Sequence, residues 1–561
     1  MGFRRFTFSN SQRRSAAGLA LAFLLLSANI LWMILDKQPF GGDQSGHAYT
    51  SINLYQMLVR FPAQWRAAML EAVPSRGPGI AWIGQFFVPL GYVMSSVDTA
   101  FLLLVYVALL IGLWLLYAAL LEMSGSAGIA AVATVAIASG QLFMNSSQIF
   151  MIEPLQFLVT AWFIYLLSRA PKWNCSFLFG QLWIATCFSL IVRATSSLYV
   201  GALVLAAVLC AVWIRQENPV RWSTGAVLAS WVTGAALAGI TFFWYRRNLS
   251  LVIAHSREAA AGSVAAMWGK TDTFTNTFLY WLNAIQRDLM HPAVLTVTLA
   301  ACAAGLGMRW RDSASSAAGS TRSYFSWCTV ASVVQILVTL FLFSLGSNRV
   351  DRFLFPLWPC FAVVIAWCLS RVNNRVVTFV VLSAFAGQWI AARAYAFGLM
   401  RENSSFVWVW RVNRDPRYSE ILNEIVARAC TEKQTNRYLT IVAIDPYLMG
   451  DWLAPEPAGY TAAKRYGLDS PCEFGYAGNR FFGASVQDTW NDFSIRQVQY
   501  VVTNDPSVLP PPPDALNQAL TSSTHPILLE MIRNSGAFVE EAPLRSAPGI
   551  LVFKSANYPR Q

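Results

Sequence analysis

Long apolar segments alternate with short polar connections between residues 16 and 396. A helix needs about 20 apolar residues to cross the hydrocarbon core of a bilayer. The first segment, 16–35, follows basic residues, but it is too long for a signal peptide and no small-residue cleavage site follows it. We therefore predict a retained first span there, and further spans at 98–120, 125–144, 151–169, 177–194, 196–214, 224–244, 291–308, 325–345, 352–370 and 376–394. The pattern predicts an all-α polytopic membrane domain, 16–396, of about eleven transmembrane helices.

The connections between these segments differ in charge. The segment 78–94 is short and carries Pro and Gly at both ends, which favours an interfacial or re-entrant helix over a full span. Basic residues then fall in the connections predicted to be cytoplasmic: Arg169, Lys172, Arg215, Arg221, Arg309, Arg311, Arg322, Arg371 and Arg375. The positive-inside rule predicts a cytoplasmic N-terminus, 1–15, with loops 37–97 and 245–290 and the C-terminus on the opposite face.

The C-terminal part, 397–561, is richer in Pro, Asn, Asp and Glu than the rest of the chain. Apolar β-branched runs predict strands near 437–445, 498–503 and 549–554, and helical patterns precede them at 417–431, 484–494 and 514–535. We expect a small extracytoplasmic α/β domain here. Cys430 and Cys472 could pair in an oxidising compartment or remain as two thiols, and the sequence leaves both alternatives open.

Composition supports the membrane assignment. Of 561 residues, 55% are hydrophobic and 12% are charged, whereas a soluble domain carries about 25% charged residues. The net charge of +12 is explained by basic cytoplasmic connections. Because no basic patch with interleaved aromatic residues stands apart from the apolar segments, a nucleic-acid partner is not expected. The expected partner is the lipid bilayer.

One carboxylate, Asp43, lies in a Gly-rich stretch directly after the first span. A helical pattern is predicted from about Ala48, and one face of it, suited to lie on lipid, carries Tyr49, Ile52, Tyr55 and Val59. An acid at a membrane boundary suggests catalysis. The alternative is that Asp43 caps the following helix.

More ionisable residues fall on the same predicted face of the membrane. Glu153 begins the span 151–169, where an acid also suits a helix start. The candidates for substrate binding are His47, Arg193, Arg246, Arg247, Lys270, Arg349 and Arg352. Charges near the membrane on this face suggest function, and guanidinium groups suit phosphate. The alternatives are surface contact for His47, and pairing with Asp351 or headgroup anchoring for Arg352.

Two further stretches complete an ordered set, Pro74-Ser-Arg-Gly-Pro-Gly-Ile-Ala-Trp82 and Asn348-Arg-Val-Asp-Arg-Phe-Leu-Phe-Pro-Leu-Trp-Pro359. Over residues 16–400 the chain resembles the GT-C glycosyltransferases, the superfamily of protein O-mannosyltransferases and aminoarabinose transferases (glycosyltransferase family 39-like). It departs from the family pattern in two places. Asp43 is followed by Gln44 instead of Glu, and Gly77 stands before Pro78 where the family has a second Pro.

The resemblance implies an inverting transfer of a sugar from a polyprenyl phosphate to an extracytoplasmic acceptor in a bacterial inner membrane. Asp43 would be the general base, and Glu153 would position the acceptor or bind a metal. Arginines would hold the phosphate. The resemblance implies no cofactor with certainty, and it leaves a divalent metal open. The alternatives are a transporter or flippase of lipid-linked saccharides and a non-catalytic membrane scaffold.

Overall fold

The structure is a computed structural model that describes residues 10–213, 220–262, 273–311, 320–401, 409–430, 440–444, 453–476, 485–505, 507–508 and 525–556. The chain divides into two compact units. The first comprises Met1–Ile34, Pro74–Gly79 and Leu102–Val412. The second comprises Leu35–Val73, Ile80–Phe101 and Asn413–Gln561.

The described residues are mostly helical. The helices are α1 (Asn10–Leu35), α2 (Gly42–Arg60), α3 (Pro62–Glu71), α4 (Gly79–Gly84), α5 (Val88–Val93), α6 (Val97–Ser124), α7 (Ala127–Ala138), α8 (Gln141–Ser146), α9 (Glu153–Arg169), α10 (Cys175–Val192), α11 (Gly201–Trp213), α12 (Thr224–Ala261), α13 (Phe274–Leu289), α14 (Pro292–Arg311), α15 (Ser320–Ser344), α16 (Trp358–Val372), α17 (Arg375–Ala396), α18 (Arg417–Cys430), α19 (Pro455–Tyr466), α20 (Val486–Ile495) and α21 (His525–Asn534). Short 3₁₀ helices lie at Ala194–Tyr199, Asp351–Leu357 and Gly467–Asp469. The strands are β1 (Thr440–Ile444), β2 (Cys472–Tyr476), β3 (Tyr500–Asn504), β4 (Phe538–Glu540) and β5 (Ile550–Ser555).

Within the described ranges, seven helical segments are long and apolar enough to cross a membrane. They are Ser15–Leu35, Val97–Ser124, Cys175–Val192, Thr224–Ala260, Tyr324–Ser344, Asp351–Val372 and Arg375–Ala396. The pair α13 and α14, bent by 87°, adds an eighth if it counts as one span. The chain is thus an integral multi-pass membrane protein.

The remaining predicted spans coincide with shorter helices. The segment 125–144 is divided between α7 and α8, and 196–214 holds a 3₁₀ turn followed by the 13 residues of α11. Helix α9 has 17 residues. The ambiguous segment 78–94 forms the short helices α4 and α5, each of six residues. Pro and Gly within these segments interrupt the continuous apolar runs. The helices in these segments are therefore shorter than the seven long spans.

The second unit contains a five-stranded sheet in the order β2-β1-β3-β5-β4. Strand β1 runs parallel to β2 and β3, whereas β5 runs antiparallel to β3 and β4. Alternate side chains point to opposite faces of a strand. Val442 and Ile444 therefore join the core under α18 and α19, and Ala443 joins the core under α20 and α21. The predicted strands correspond to β1, β3 and β5, while α19, β2 and β4 were not predicted.

Cys430 and Cys472 form a disulfide. The bond joins the end of α18 to the first residue of β2, across a sequence separation of 42 residues. Of the two alternatives left by the sequence, the structure therefore adopts pairing.

Helix α2 begins earlier than predicted, at Gly42 instead of about Ala48, so Asp43 lies in its first turn. The predicted lipid-facing surface is also divided. Tyr49 is 43% exposed and Val59 is 61% exposed, but Ile52 is fully buried. Because α2 packs against α19, the prediction that this whole face lies on lipid is wrong.

Candidate functional site

A buried carboxylate paired with an arginine marks the candidate site in the first unit. Glu153 is the first residue of α9 and is only 1% exposed. The Nε of Arg352 lies 3.4 Å from its Oε1. A buried charge is costly unless a partner of opposite sign compensates it. Arg352 supplies that partner from the 3₁₀ helix Asp351–Leu357.

A second arginine approaches from the end of α10. The guanidinium of Arg193 lies 5.6 Å from the centroid of the Phe353 ring, and that of Arg352 lies 5.9 Å from the same ring. Glu153 and Arg352 both act electrostatically on the guanidinium of Arg193. Arginine is protonated at physiological pH, so the site retains its positive charge.

The segment Pro74–Gly79 brings a third arginine to this cluster. A Cβ at Gly77 would lie 2.9 Å from the Cα of Arg193, and a Cβ at Gly79 would lie 2.7 Å from the Cα of Val192. Gly77 also adopts a φ of +112°, a conformation that other residues rarely tolerate. The two glycines let the backbone approach the end of α10, and Arg76 then acts electrostatically on Arg193.

An aromatic core fixes the elements that carry these charges. Phe143, Phe157 and Phe355 are fully buried, and their ring centroids lie 5.2–5.6 Å apart. Phe157 lies one turn after Glu153 on α9, and Phe355 lies three residues after Arg352. Packed aromatic side chains of this kind fix the positions of Glu153 and Arg352.

Asp351 belongs to a separate network near the end of α13. It accepts a hydrogen bond from the Tyr280 hydroxyl and pairs with Arg287, which also donates to Asp288 over 2.7 Å. Arg349 donates to the Thr277 hydroxyl over 3.0 Å. Arg349 therefore ties the 345–351 connection to α13, and Arg352 pairs with Glu153.

The other predicted site residues belong to other elements. Asp43 is half-buried and His47 is buried, both on α2 in the second unit, so the surface contact weighed for His47 is not what the structure has. Arg246 and Arg247 lie on the exposed side of α12, which continues to Ala261. Lys270 lies outside the described residues.

Two members of the Glu153 cluster were not predicted as site residues, Arg76 and Tyr199. Tyr199 is buried and acts electrostatically on Arg193. The sequence offered one signal for Arg76, namely its place directly before Gly77 in the Pro74–Gly79 segment. No local pattern pointed to Tyr199, since its approach to Arg193 depends on the 3₁₀ turn after α10.

The cluster combines three guanidinium groups with one carboxylate, an arrangement that suits an anion such as phosphate. It does not suit a divalent cation, which the arginines would repel. Among the described residues, no group of three or more His, Cys, Asp or Glu side chains is placed to hold a metal.

No family model matches the sequence, and no curated protein matches it. Solved structures do match. Apo ArnT from Cupriavidus metallidurans is 12% identical with a TM-score of 0.54, over 96% of this chain and 98% of that one. The same protein bound to undecaprenyl phosphate is 12% identical with a TM-score of 0.51, over 98% and 100%. These likenesses show that the chain has the GT-C fold.

Proposed function

We propose that this protein is a membrane glycosyltransferase that moves a sugar from a polyprenyl-phosphate donor to an extracytoplasmic acceptor. The observation that carries the proposal is the cluster of Arg76, Arg193 and Arg352 around the buried Glu153. The similarity of the fold to a structure that binds undecaprenyl phosphate supports the same class of ligand here.

The arginines would stabilise the leaving group. As the bond between the sugar C1 and the phosphate oxygen breaks, its electron pair stays with the polyprenyl phosphate. Guanidinium groups already in place stabilise negative charge as it develops. Because the phosphate departs as an anion, it needs no proton from a general acid.

The acceptor hydroxyl attacks C1 from the opposite face, which inverts the configuration there. Asp43, the base implied by the resemblance, takes the hydroxyl proton. Glu153 is buried between cations, and we assign it to orienting Arg352 and the acceptor instead of binding a metal. Experiments can identify the sugar, the acceptor (envelope lipid, polysaccharide or protein) and their order of binding.

We also propose that the shorter helices α7–α8, α9 and α11 cross the membrane with the long ones, giving eleven spans in the domain 16–396. The N-terminus 1–15 would then be cytoplasmic, and loops 37–97 and 245–290 and the domain 397–561 would face the periplasm of a bacterial inner membrane. The disulfide between Cys430 and Cys472 supports this side, since such bonds persist in oxidising compartments.

Binding of undecaprenyl phosphate to the purified full chain in nanodiscs tests the phosphate site. We expect Arg352→Gln and Arg193→Gln each to weaken binding at least roughly tenfold, because each removes a charge-assisted contact. Arg371→Gln is the matched control, since Arg371 bonds to Ser326 and lies over Trp367. Equal affinity in all variants would contradict the assignment.

Mass spectrometry of envelope glycans and lipids from a deletion strain tests transfer. A sugar that disappears and returns with the wild-type gene identifies donor and acceptor together. Expressed in the deletion strain, the Asp43→Asn variant should bind the donor without restoring the missing sugar. If this variant restores full transfer, Asp43 is not the base. A deletion strain with unchanged glycans and intact donor export would contradict both the enzyme and the flippase.

A further inference from the structure

A cavity of about 330 Å³ opens on the second unit, and none of the residues assigned to the phosphate site lines it. Its walls come from the C-terminal half of α2, from α5 and from the end of α19. The residues that line it are Tyr55, Gln56, Val59, Arg60, Tyr92, Lys464, Arg465, Tyr466 and Gly467. A volume of this size falls at the lower end of small-molecule sites.

The composition of the walls is specific: three tyrosines and three cations. Tyr55 and Tyr92 lie with their ring centroids 6.1 Å apart, and Tyr466 contributes the third ring. Tyrosine offers a flat apolar surface together with a polar hydroxyl. The carbon-bound hydrogens of a sugar ring can pack on such a surface while its hydroxyls bond to the phenols.

Two of the three cations are already paired. Lys464 lies 3.0 Å from Asp98, and Arg60 lies 2.7 Å from Asp469. Within the described part of the chain, no carboxylate pairs with Arg465, whose guanidinium lies 5.3 Å from the Tyr466 ring centroid. Arg465 is exposed and therefore available to an incoming anion.

The base of the cavity is held by close packing. A Cβ at Gly467, which has a φ of +66°, would lie 2.3 Å from the Gln56 amide. The carbonyl of that amide accepts a hydrogen bond from the Leu468 N–H over 2.5 Å. The two walls of the cavity are thus fixed against each other before any ligand arrives, which lowers the entropic cost of binding.

We propose that this cavity binds an anionic saccharide unit, with the sugar ring against the tyrosines and its phosphate or carboxylate on Arg465. The inference rests on the proposed function only in naming the ligand as part of the acceptor. Binding itself is independent of transfer.

Titration of the full chain in phosphatidylcholine nanodiscs with glucose 1-phosphate, glucose and inorganic phosphate tests the cavity. We expect glucose 1-phosphate to bind at least roughly tenfold more tightly than either part alone, because only the whole ligand uses rings and cation together. Arg465→Gln should remove most of this difference, as should Tyr55→Ala. Arg545→Gln, which removes an exposed cation elsewhere in the same unit, should not.

Three outcomes overturn the proposal. In the first, all three probes bind equally or none binds. In the second, Arg465→Gln and Arg545→Gln behave alike. In the third, phosphatidylglycerol in the nanodisc abolishes glucose 1-phosphate binding, which would assign the cavity to a lipid headgroup. Since no turnover is measured, failure here leaves the transfer assay and the undecaprenyl phosphate assay unaffected.

Discussion

The Nε of Arg352 lies 3.4 Å from Oε1 of Glu153, a carboxylate that is 99% removed from solvent while its partner is one-third exposed. The pair joins the start of α9 to the 3₁₀ turn before α16, two elements distant in sequence. Arg352 can therefore serve two partners, the buried acid behind it and an anion in front of it.

Removing one member of this pair should cost more than removing both. We expect Arg352→Met to lower the free energy of unfolding by about 1–3 kcal/mol, because it leaves the Glu153 carboxylate buried with fewer cations nearby. Glu153→Gln added to Arg352→Met should recover part of that loss. Thermal unfolding of the full chain in detergent measures both. A double variant less stable than either single variant would show that the pair is not coupled as described.

A methyl group at Gly77 should disturb the arginine cluster. Gly77→Ala adds a Cβ that would lie 2.9 Å from the Arg193 Cα and the Val192 carbonyl oxygen, in a backbone conformation that disfavours alanine. We expect a stability loss of about 1–3 kcal/mol and weaker undecaprenyl phosphate binding.

Gly125→Ala is the matched control for this clash. Gly125 also has a positive φ, +66°, but a Cβ added there would meet nothing within 4 Å. It should share the backbone strain and keep phosphate affinity. If both alanines reduce affinity alike, the close approach of the Pro74–Gly79 segment does not position Arg76 and Arg193.

Glu424 should make stability depend on pH in the acid range. Burial alone raises the pKa of its carboxyl, but hydrogen bonds from the N–H groups of Arg545 and Ser546, the Ser546 hydroxyl and Arg428 outweigh it and lower the pKa to about 2. The unfolded chain has the ordinary value of 4.5. The stabilisation is therefore complete above pH 4.5 and is lost as the pH falls through about 2.

The measurement is the unfolding midpoint against pH for wild type, Glu424→Gln and Glu420→Gln. Glu424→Gln should be less stable at neutral pH and should flatten the curve between pH 4.5 and 2. Glu420, exposed on the same helix, supplies the control and should leave the curve unchanged. A wild-type curve that is already flat in this window would contradict the prediction.

Loss of the disulfide should destabilise the second unit. Closing a loop across 42 residues constrains the unfolded chain by roughly 4 kcal/mol in the chain-entropy estimate. We expect Cys430→Ser to lower the unfolding midpoint and to abolish its sensitivity to reductant. Cys302→Ser, which removes a thiol outside any disulfide, should keep that sensitivity.

The sequence predicted most elements whose signals are local. Apolar runs gave the long spans, and β-branched runs gave β1, β3 and β5, because burial on both faces favours continuous Val and Ile. Helix α19 was missed since Pro455, Pro457 and Gly459 are typical of loops. In the structure both prolines lie in the first turn, where a missing N–H costs nothing.

The site was predictable only in part. The sequence proposed Glu153, Arg193 and Arg352 separately, from charge on an apolar background, and the structure brings these three together. Arg76 and Tyr199 join them through long-range packing that no local pattern encodes. Asp43 lies in a helix that begins at Gly42, six residues before the expected Ala48. Gly42 and Gly46 disfavour a helix by their propensity, and tertiary contacts outweigh that cost.

The length of α12 has a consequence for how the protein sits in lipid. Its 38 residues make a rod of about 57 Å, whereas a bilayer with its headgroups is about 40–45 Å thick. Arg246 and Arg247 come about 33 Å along this rod, close to the thickness of the hydrocarbon layer. We therefore expect the two cations to lie at the lipid surface, and the final turns, with Leu249 and Leu251 half exposed, to lie among the headgroups.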